Sequence, residues 1–274
     1  MLNDIYHAID PVAFSIGPVE VRWYGIAYLV GFFLAGVVLY RVSRRWKMHL
    51  SVDDVLLLIV SVAFGVIFGA RLFYVCFYNL PYYLENPSHI LLFSEGGMSF
   101  HGGLCGGILG GFLACRYLKI SFVTTCDMAI VGAPLGLFFG RCANFVNGEL
   151  WGKATDLPWG VMFESGGDVY RHPSQLYEAV LEGLVIFVVL YCLSRKKTPL
   201  YRGSYIGVFL VLYGFFRFLI EFVRVPDSQL GYLFGFVTMG QLLSIPLLVI
   251  GVLILVVSNK KKSPQSLSLS PRGV

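Results

Sequence analysis

The sequence predicts an all-α polytopic membrane protein with seven transmembrane helices, and three observations carry that prediction. Hydrophobic residues make up 57% of the 274-residue chain and charged residues only 14%, whereas a soluble domain is about a quarter charged. Seven segments hold about 20 mainly apolar residues each, the length that crosses a hydrocarbon core about 30 Å thick. They are residues 21–43, 53–77, 98–118, 123–145, 173–194, 203–224 and 237–258. The third observation is that the basic residues gather on alternate sides of these segments.

Orientation follows from that asymmetry. Arg41, Arg44, Arg45 and Lys47, then Arg116 and Lys119, then Arg195, Lys196, Lys197 and Arg202, then Lys260, Lys261, Lys262 and Arg272 all fall on one side. The other side has Arg22, Lys153, Arg171 and Arg224, while Arg71, Arg141 and Arg217 lie inside spans. The positive-inside rule places the N-terminus outside and the C-terminus in the cytoplasm. The same distribution explains the net charge of +5 as a topology signal, with no call for a nucleic-acid partner. The acidic opening Met1-Leu2-Asn3-Asp4 lacks the basic n-region of a cleavable signal, so the N-terminus is expected to be retained.

Residues 1–262 read as one transmembrane domain. Two outer segments are substantial: 78–97, with Pro81, Pro87 and Gly96-Gly97, and 146–172, a polar stretch expected to form a small extracytoplasmic cap. Residues 263–274 are rich in Ser and Pro and read as a disordered cytoplasmic tail. In the third span, glycines from Gly102 to Gly111 recur in two adjacent rows, and Gly132, Gly136 and Gly140 form a row in the fourth. Small residues four apart let helix backbones approach closely in lipid. The six cysteines, Cys76, Cys105, Cys115, Cys126, Cys142 and Cys192, all sit in apolar segments without CxxC spacing and read as small hydrophobes.

Ionisable residues within spans cost at least ~2.5–3.5 kcal/mol each on insertion scales and mark functional sites. Six spans bring polar groups to one depth, near the outer face. His101 opens the third span; Arg141 and Asn144 share a face at the end of the fourth. Tyr213, Arg217 and Glu221 form a stripe in the sixth, Arg71 lies in the outer third of the second, and Arg22-Trp23-Tyr24 begin the first. The fifth begins after Arg171-His172 with Ser174, Gln175, Tyr177 and Glu178. Each feature alone has an ordinary reading: an ion pair for Arg217 with Glu221, a core histidine, aromatic-belt residues. Their shared depth instead points to a cationic, hydrogen-bonding pocket suited to a phospholipid headgroup, because guanidinium binds phosphate oxygens bidentately. No HExxH, CxxC or carboxylate cluster suggests a metal site, and no cofactor is expected.

The chain also resembles a known family. Gly140-Arg141-Cys142-Ala143-Asn144-Phe145-Val146-Asn147-Gly148-Glu149-Leu150-Trp151-Gly152 is similar to the signature of the prolipoprotein diacylglyceryl transferases. The resemblance extends to Asp10-Pro11, Ile16-Gly17-Pro18, Arg22-Trp23-Tyr24-Gly25, Ser99-Phe100-His101-Gly102-Gly103, Arg171-His172-Pro173-Ser174-Gln175-Leu176-Tyr177-Glu178 and Tyr213 to Glu221. It implies a multi-pass enzyme of the bacterial plasma (inner) membrane, active towards the outer leaflet, whose partners are phosphatidylglycerol and prolipoprotein signal peptides carrying a lipobox cysteine. The implied reaction joins the diacylglyceryl group to the cysteine thiol as a thioether and releases glycerol phosphate.

That chemistry needs a thiolate, an exposed glycerol carbon and stabilisation of the leaving phosphate. The expected assignments are Arg141 and Arg217 on the phosphate, helped by Asn144 and Asn147. His101 is the candidate general base, with an arginine carrying the thiolate as the alternative. Glu221 and Glu149 orient the arginines or help take the proton, Tyr24 binds headgroup or peptide, and Gly152 and Tyr213 join the substrate-binding set. A lipid or organic-anion transporter would also use outer-face arginines, but it should carry polar residues on both sides of the midplane in paired halves. Here the inner halves of the spans are nearly free of charge, with Asp127 near the inner end of the fourth a partial exception. An intramembrane serine protease would need Ser99 and His101 on one helix face, which their i, i+2 spacing opposes.

Overall fold

The computed structural model describes residues 1–17, 19–93, 96–226, 232–233 and 237–268. It is mostly helical. Among the described residues, five helices are long and apolar enough to cross a membrane: Trp23–Arg45, Val52–Phe77, Phe122–Val146, Ser174–Ser194 and Met239–Lys261. Ser204–Ile220 is a shorter apolar helix. The chain is thus a polytopic membrane protein. The predicted third span is the helix Phe100–Tyr117, whose six glycines lower its hydropathy. The predicted sixth span ends at Ile220, before residue 224, with Glu221 as its C-cap.

The residues group into two compact units, Met1–Trp46 with Cys126–Gln265, and Lys47–Thr125 with Ser266–Val274. The first unit begins with a short helix α1 (Leu2–His7) and an antiparallel hairpin, β1 (Val12–Ile16) and β2 (Val19–Arg22). In the hairpin Ser15 pairs with Glu20, and the register shifts between Val12 and Phe14. Gly17, at φ +60°, takes the left-handed conformation that turns the chain between the strands. Helix α2 (Trp23–Arg45) follows directly and ends on Arg44 and Arg45, cations that suit the negative end of a helix dipole.

The second unit holds α3 (Val52–Phe77), the short α4 (Leu80–Glu85), a 3₁₀ turn at Pro87–Leu91 and α5 (Phe100–Tyr117). Helix α3 starts in a capping box: Ser51 Oγ accepts from the Asp54 amide at 3.0 Å and Asp54 Oδ2 from the Ser51 amide at 2.8 Å. Its contact with α5 is backbone to backbone. A methyl group on Gly106 would lie 2.0 Å from the Gly65 carbonyl oxygen, so the predicted glycine rows work as a packing seam. Buried Arg71 organises the loop after α3. Its guanidinium donates to the carbonyls of Ile90 (2.9 Å), His89 (2.6 Å), Leu92 (3.0 Å) and Gly97 (3.3 Å), and also to Gly96. The same group lies over the Tyr83 ring, 5.2 Å from its centroid. Arg71 therefore has a structural occupation.

Helix α6 (Phe122–Val146) carries Pro134. Within the first unit it packs on α2, where a methyl group on Gly31 would come within 2.9 Å of the Gly136 Cα. The fifth predicted span is one continuous helical run with a π-helical middle: α7 (Ser174–Glu178), the π stretch Ala179–Val185 and α8 (Ile186–Ser194). Helix α9 (Ser204–Ile220) pairs with α10 (Met239–Lys261), and a two-residue hairpin of β3 (Tyr232–Leu233) and β4 (Val237–Thr238) precedes α10. Asp127 is fully buried. Its carboxylate accepts from the amides of Gly203 (2.5 Å) and Ile206 (3.0 Å), capping the start of α9, and from Gln265 Nε2 at 2.7 Å. Of the predicted tail, residues 263–268 are described: Ser263 accepts from the Arg202 amide and Leu267 from the Ser121 amide, both at 2.9 Å. Residues 269–274 lie outside the described residues.

The 146–172 segment folds onto α1. Tyr6, Phe145, Val161 and Phe163 form a small buried cluster with Leu2, Trp151 and Leu176 against it. Burial of Tyr6 pushes its hydroxyl above the usual phenol range. Arg171 stacks over the Trp151 ring at 4.0 Å and donates to Gly166 O at 2.8 Å. Cys115 is buried, whereas Cys76, Cys105 and Cys192 are exposed.

Candidate active site

The ends of α6 and α9 and the start of α7 bring three arginines and three glutamates together in the first unit. Arg141 Nε lies 2.7 Å from Glu178 Oε2, and Arg217 Nη1 lies 3.2 Å from the same oxygen. Arg217 Nη2 pairs with Glu221 Oε1 at 2.6 Å. Arg224 completes the set, 4.0 Å from Glu178 and 3.8 Å from Glu221. Two guanidiniums repel each other; a carboxylate oxygen shared between them lets them sit side by side in a low-dielectric setting. Glu178 and Glu182 are 0% exposed, while the Arg141 and Arg217 side chains keep 18% and 15% of their surface. The carboxylates are therefore behind and the cations in front.

The local sequence explains this placement. Glu178 and Glu182 are four apart and project from one side of the α7 run, as do Arg217 and Glu221 from α9. Thr238, the N-cap of α10, donates its hydroxyl to Glu221 Oε2 at 2.6 Å while accepting from the Gln241 amide at 3.1 Å. The start of α10 thus holds the carboxylate that holds Arg217. Gly240 packs against that carboxylate, and a methyl group there would lie 2.4 Å from Glu221 Cδ.

A neutral rim continues from Arg141. Its Nη1 reaches Asn144 Oδ1 at 3.5 Å; Asn144 Nδ2 donates to Glu149 Oε1 at 2.7 Å, and Asn147 Nδ2 to the same oxygen at 3.4 Å. The Glu149 carbonyl accepts from buried Gln175 at 2.6 Å. Tyr24 bonds to Tyr28, hydroxyl to hydroxyl, at 3.1 Å, and its phenol interacts electrostatically with Glu149 and Arg141. The Tyr213 phenol is in electrostatic reach of Glu182, Arg217 and Arg141. Gly152 has a packing reason: it bridges to Arg224, and a methyl group there would lie 2.6 Å from the Val223 carbonyl oxygen. Lys153 fastens the same strand by donating Nζ to Phe222 O and its amide to Val223 O, both at 2.8 Å.

Arg141, Asn144, Asn147, Glu149, Gly152, Tyr24, Tyr213, Arg217 and Glu221, all predicted from sequence, thus belong to one neighbourhood. His101 belongs to the second unit, where it is exposed at the start of α5 with its ring edge-on to Phe100. Ser99 Oγ, the other half of the protease-like pair, accepts from the Gly102 amide at 3.3 Å as the helix N-cap. Two members of the charge cluster had no assigned role, Glu178 and Arg224, and one, Glu182, was overlooked. Glu182 interrupts the apolar run Ala179-Val180-Leu181-Glu182-Gly183-Leu184-Val185, and a charge amid that run was the available signal. At the cap, Trp159 Nε1 donates to the Tyr177 hydroxyl at 2.7 Å, which sits 3.2 Å from His172 Nδ1. Burial lowers the His172 imidazole below its usual pKa. Among the described residues no group of three or more His, Cys, Asp or Glu could hold a metal ion.

The arrangement offers two clamped, partly exposed cations ringed by neutral donors, the kind of chemistry that a phosphate-like anion pairs with. Comparison with known proteins points the same way. Residues 11–257 match the family model for prolipoprotein diacylglyceryl transferase. A phosphatidylglycerol–prolipoprotein diacylglyceryl transferase of Geobacter sulfurreducens is 50% identical over 254 residues, covering 93% of this chain and 97% of that protein. Those of Methylococcus capsulatus and Pasteurella multocida are 45% and 46% identical, over 94% and 91% of this chain and 98% and 92% of their own lengths. With matches of that identity along nearly its whole length, this chain belongs to the prolipoprotein diacylglyceryl transferase family.

Proposed function

We propose that this protein transfers the diacylglyceryl group of phosphatidylglycerol to the lipobox cysteine of prolipoproteins, at the arginine cluster of its first unit. Membership of the family supports the activity. The single observation that carries the site is the sharing of Glu178 Oε2 by Arg141 and Arg217, at 2.7 and 3.2 Å. It holds two guanidiniums ready for one phosphate before any substrate arrives, so no reorganisation is needed as charge grows there.

In the reaction the cysteine sulfur forms a bond to the terminal glycerol carbon of the diacylglyceryl group. The carbon–oxygen bond to phosphate breaks, and its electron pair leaves on glycerol phosphate. Arg141 and Arg217 take the developing charge, and Asn144 and Asn147 hydrogen-bond the headgroup. Glu221 holds Arg217, Glu149 orients the asparagines, and Tyr24, Tyr213 and Gly152 shape the binding surface. The thiol proton passes to His101 as general base, or the thiolate forms beside an arginine. Seven spans with the N-terminus outside put this site at the outer leaflet of the bacterial plasma membrane. In support, basic residues close α2, α5 and α10, and α5, with 18 residues, is about 27 Å long at 1.5 Å per residue.

The test is purified protein with phosphatidylglycerol vesicles and a lipobox peptide, scoring thioether and glycerol phosphate together. Arg141→Ala and Arg217→Ala should each lower transfer at least ~10²-fold; near-normal transfer in either removes the clamp. Full activity of His101→Gln between about pH 6 and 9 removes the histidine as obligatory base.

A further inference from the structure

Among the described residues, Glu182 is the carboxylate of the cluster whose ion pairs are all long, none nearer than 3.9 Å. It is fully buried, and neither carboxylate oxygen accepts a hydrogen bond among the described residues. Its nearest cations are Arg141 Nη2 and Arg217 Nη1, both at 3.9 Å, one to each oxygen-bearing edge. Glu178 already supplies the short pairs that fix those arginines. Removing Glu182 would therefore leave the clamp tied together by Glu178 and Glu221. What Glu182 adds is charge: with it, the three guanidiniums of Arg141, Arg217 and Arg224 face the three buried carboxylates of Glu178, Glu182 and Glu221.

We propose that Glu182 is a charge-setting residue, acting through Arg141 and Arg217 to weaken the hold on the dianionic product and so to speed its release. The inference rests on the phosphate-clamp reading above. A phosphodiester lipid carries one negative charge, whereas a phosphate monoester, with a second pKa near 6, carries about two at neutral pH. An unbalanced arginine pair would bind the monoester more tightly than the substrate and stall after each turnover. A buried carboxylate behind the pair repels both ligands, and repels the product twice as strongly. The arginines lie between Glu182 and their open edges, so a phosphate there is about 8 Å from the carboxylate. At that distance and an effective dielectric of about 20, one unit of charge changes affinity up to about thirtyfold and a second unit squares the factor.

The experiment compares wild type, Glu182→Gln and Glu182→Asp in detergent micelles containing phosphatidylglycerol, measuring KM for the lipid and the inhibition constant of added glycerol phosphate. In Glu182→Gln both constants should fall, the product constant at least about tenfold further than KM. Steady-state kcat should drop while the single-turnover rate holds or rises, because release has become limiting. Glu182→Asp keeps the charge and should keep the wild-type ratio of the two constants. Weaker binding of both ligands in Glu182→Gln, or equal changes in the two constants, overturns the proposal, as does an Asp variant whose ratio moves as far as that of Gln. Arg217→Ala distinguishes the two layers. If it leaves glycerol phosphate inhibition untouched, the clamp itself fails. If it abolishes inhibition and Glu182→Gln does not sharpen it, only the role of Glu182 fails.

Discussion

Replacing Glu178 with glutamine keeps the shape of the side chain and deletes its charge. The carboxylate is 0% exposed and pairs with Arg141 at 2.7 Å and Arg217 at 3.2 Å. Deleting one member of a buried pair leaves cations without their counter-charge and costs about 3–5 kcal/mol. For a chain of this size that corresponds to a fall in Tm of roughly 5–9 °C, read by thermal unfolding in detergent. An internal control is available at the hairpin. Arg22 and Glu20 are 3.3 Å apart with 62% and 55% of their side chains exposed, and Glu20→Gln should cost under ~1 kcal/mol because solvent screens the pair. The released arginines should also accept a replacement anion. Glycerol phosphate at about 100 times its Kd stabilises by about 2.7 kcal/mol, and its Tm gain should be larger in Glu178→Gln than in wild type, since tighter binding raises that ratio. A loss no greater than that of Glu20→Gln, or an anion effect no larger than in wild type, would refute the view of Glu178 as the tie between the arginines.

Three further outcomes follow from the packing. Arg71→Met should deprive five carbonyls of the 89–97 loop of their donor and speed amide exchange through Pro87–Leu91 at least about tenfold; unchanged protection there defeats the reading. Asp127→Ala removes charged acceptors worth about 1.5–3 kcal/mol each from the start of α9 and from Gln265, and should expose the chain beyond Lys262 to limited proteolysis; a cleavage pattern like that of wild type counts against it. Gly106→Val should force α3 and α5 apart and cost about 1–3 kcal/mol or more, whereas Gly140→Ala, where a methyl group meets nothing within 4 Å, should leave Tm within about 2 °C.

How much could be read in advance divides along a physical line. The helices follow from hydropathy and length because lipid allows few other solutions for the backbone. Nine of the ten expected site residues share a neighbourhood: Arg141, Arg217 and Glu221 were legible as charges within spans, whereas Asn147, Glu149 and Gly152 came from the resemblance to the family signature. Arg71, whose role the sequence leaves open, is instructive. Its acceptors are the backbone carbonyls of His89, Ile90 and Leu92, and carbonyls look alike in every sequence. Asp127 is similar, because it caps the amides of Gly203 and Ile206 from 76 and 79 residues away. The end of α9 at Ile220 was hidden for another reason: Phe222 and Val223 continue the apolar run after the chain has turned. Glu182, by contrast, was legible. It stands four residues past Glu178, and a scan of every charge within a span would have caught it.

The buried charges also bear on how the chain enters its membrane during synthesis. The segment Ser174–Ser194 carries Glu178 and Glu182, and Ser204–Ile220, after a connection of residues 195–203, carries Arg217. At the bilayer centre each such charge raises the cost of inserting an isolated helix by up to about 2.5–3.5 kcal/mol. The two acids sit near the beginning of one segment and the arginine near the end of the next. An antiparallel pair therefore brings opposite charges level, as the 3.2 Å separation of Arg217 from Glu178 records. Partitioned together as a helical hairpin, the two segments neutralise most of what each would expose to lipid alone. The charge cluster thus makes these two helices a unit of biogenesis, and a variant that strips Arg217 burdens the translocation machinery as well as the chemistry.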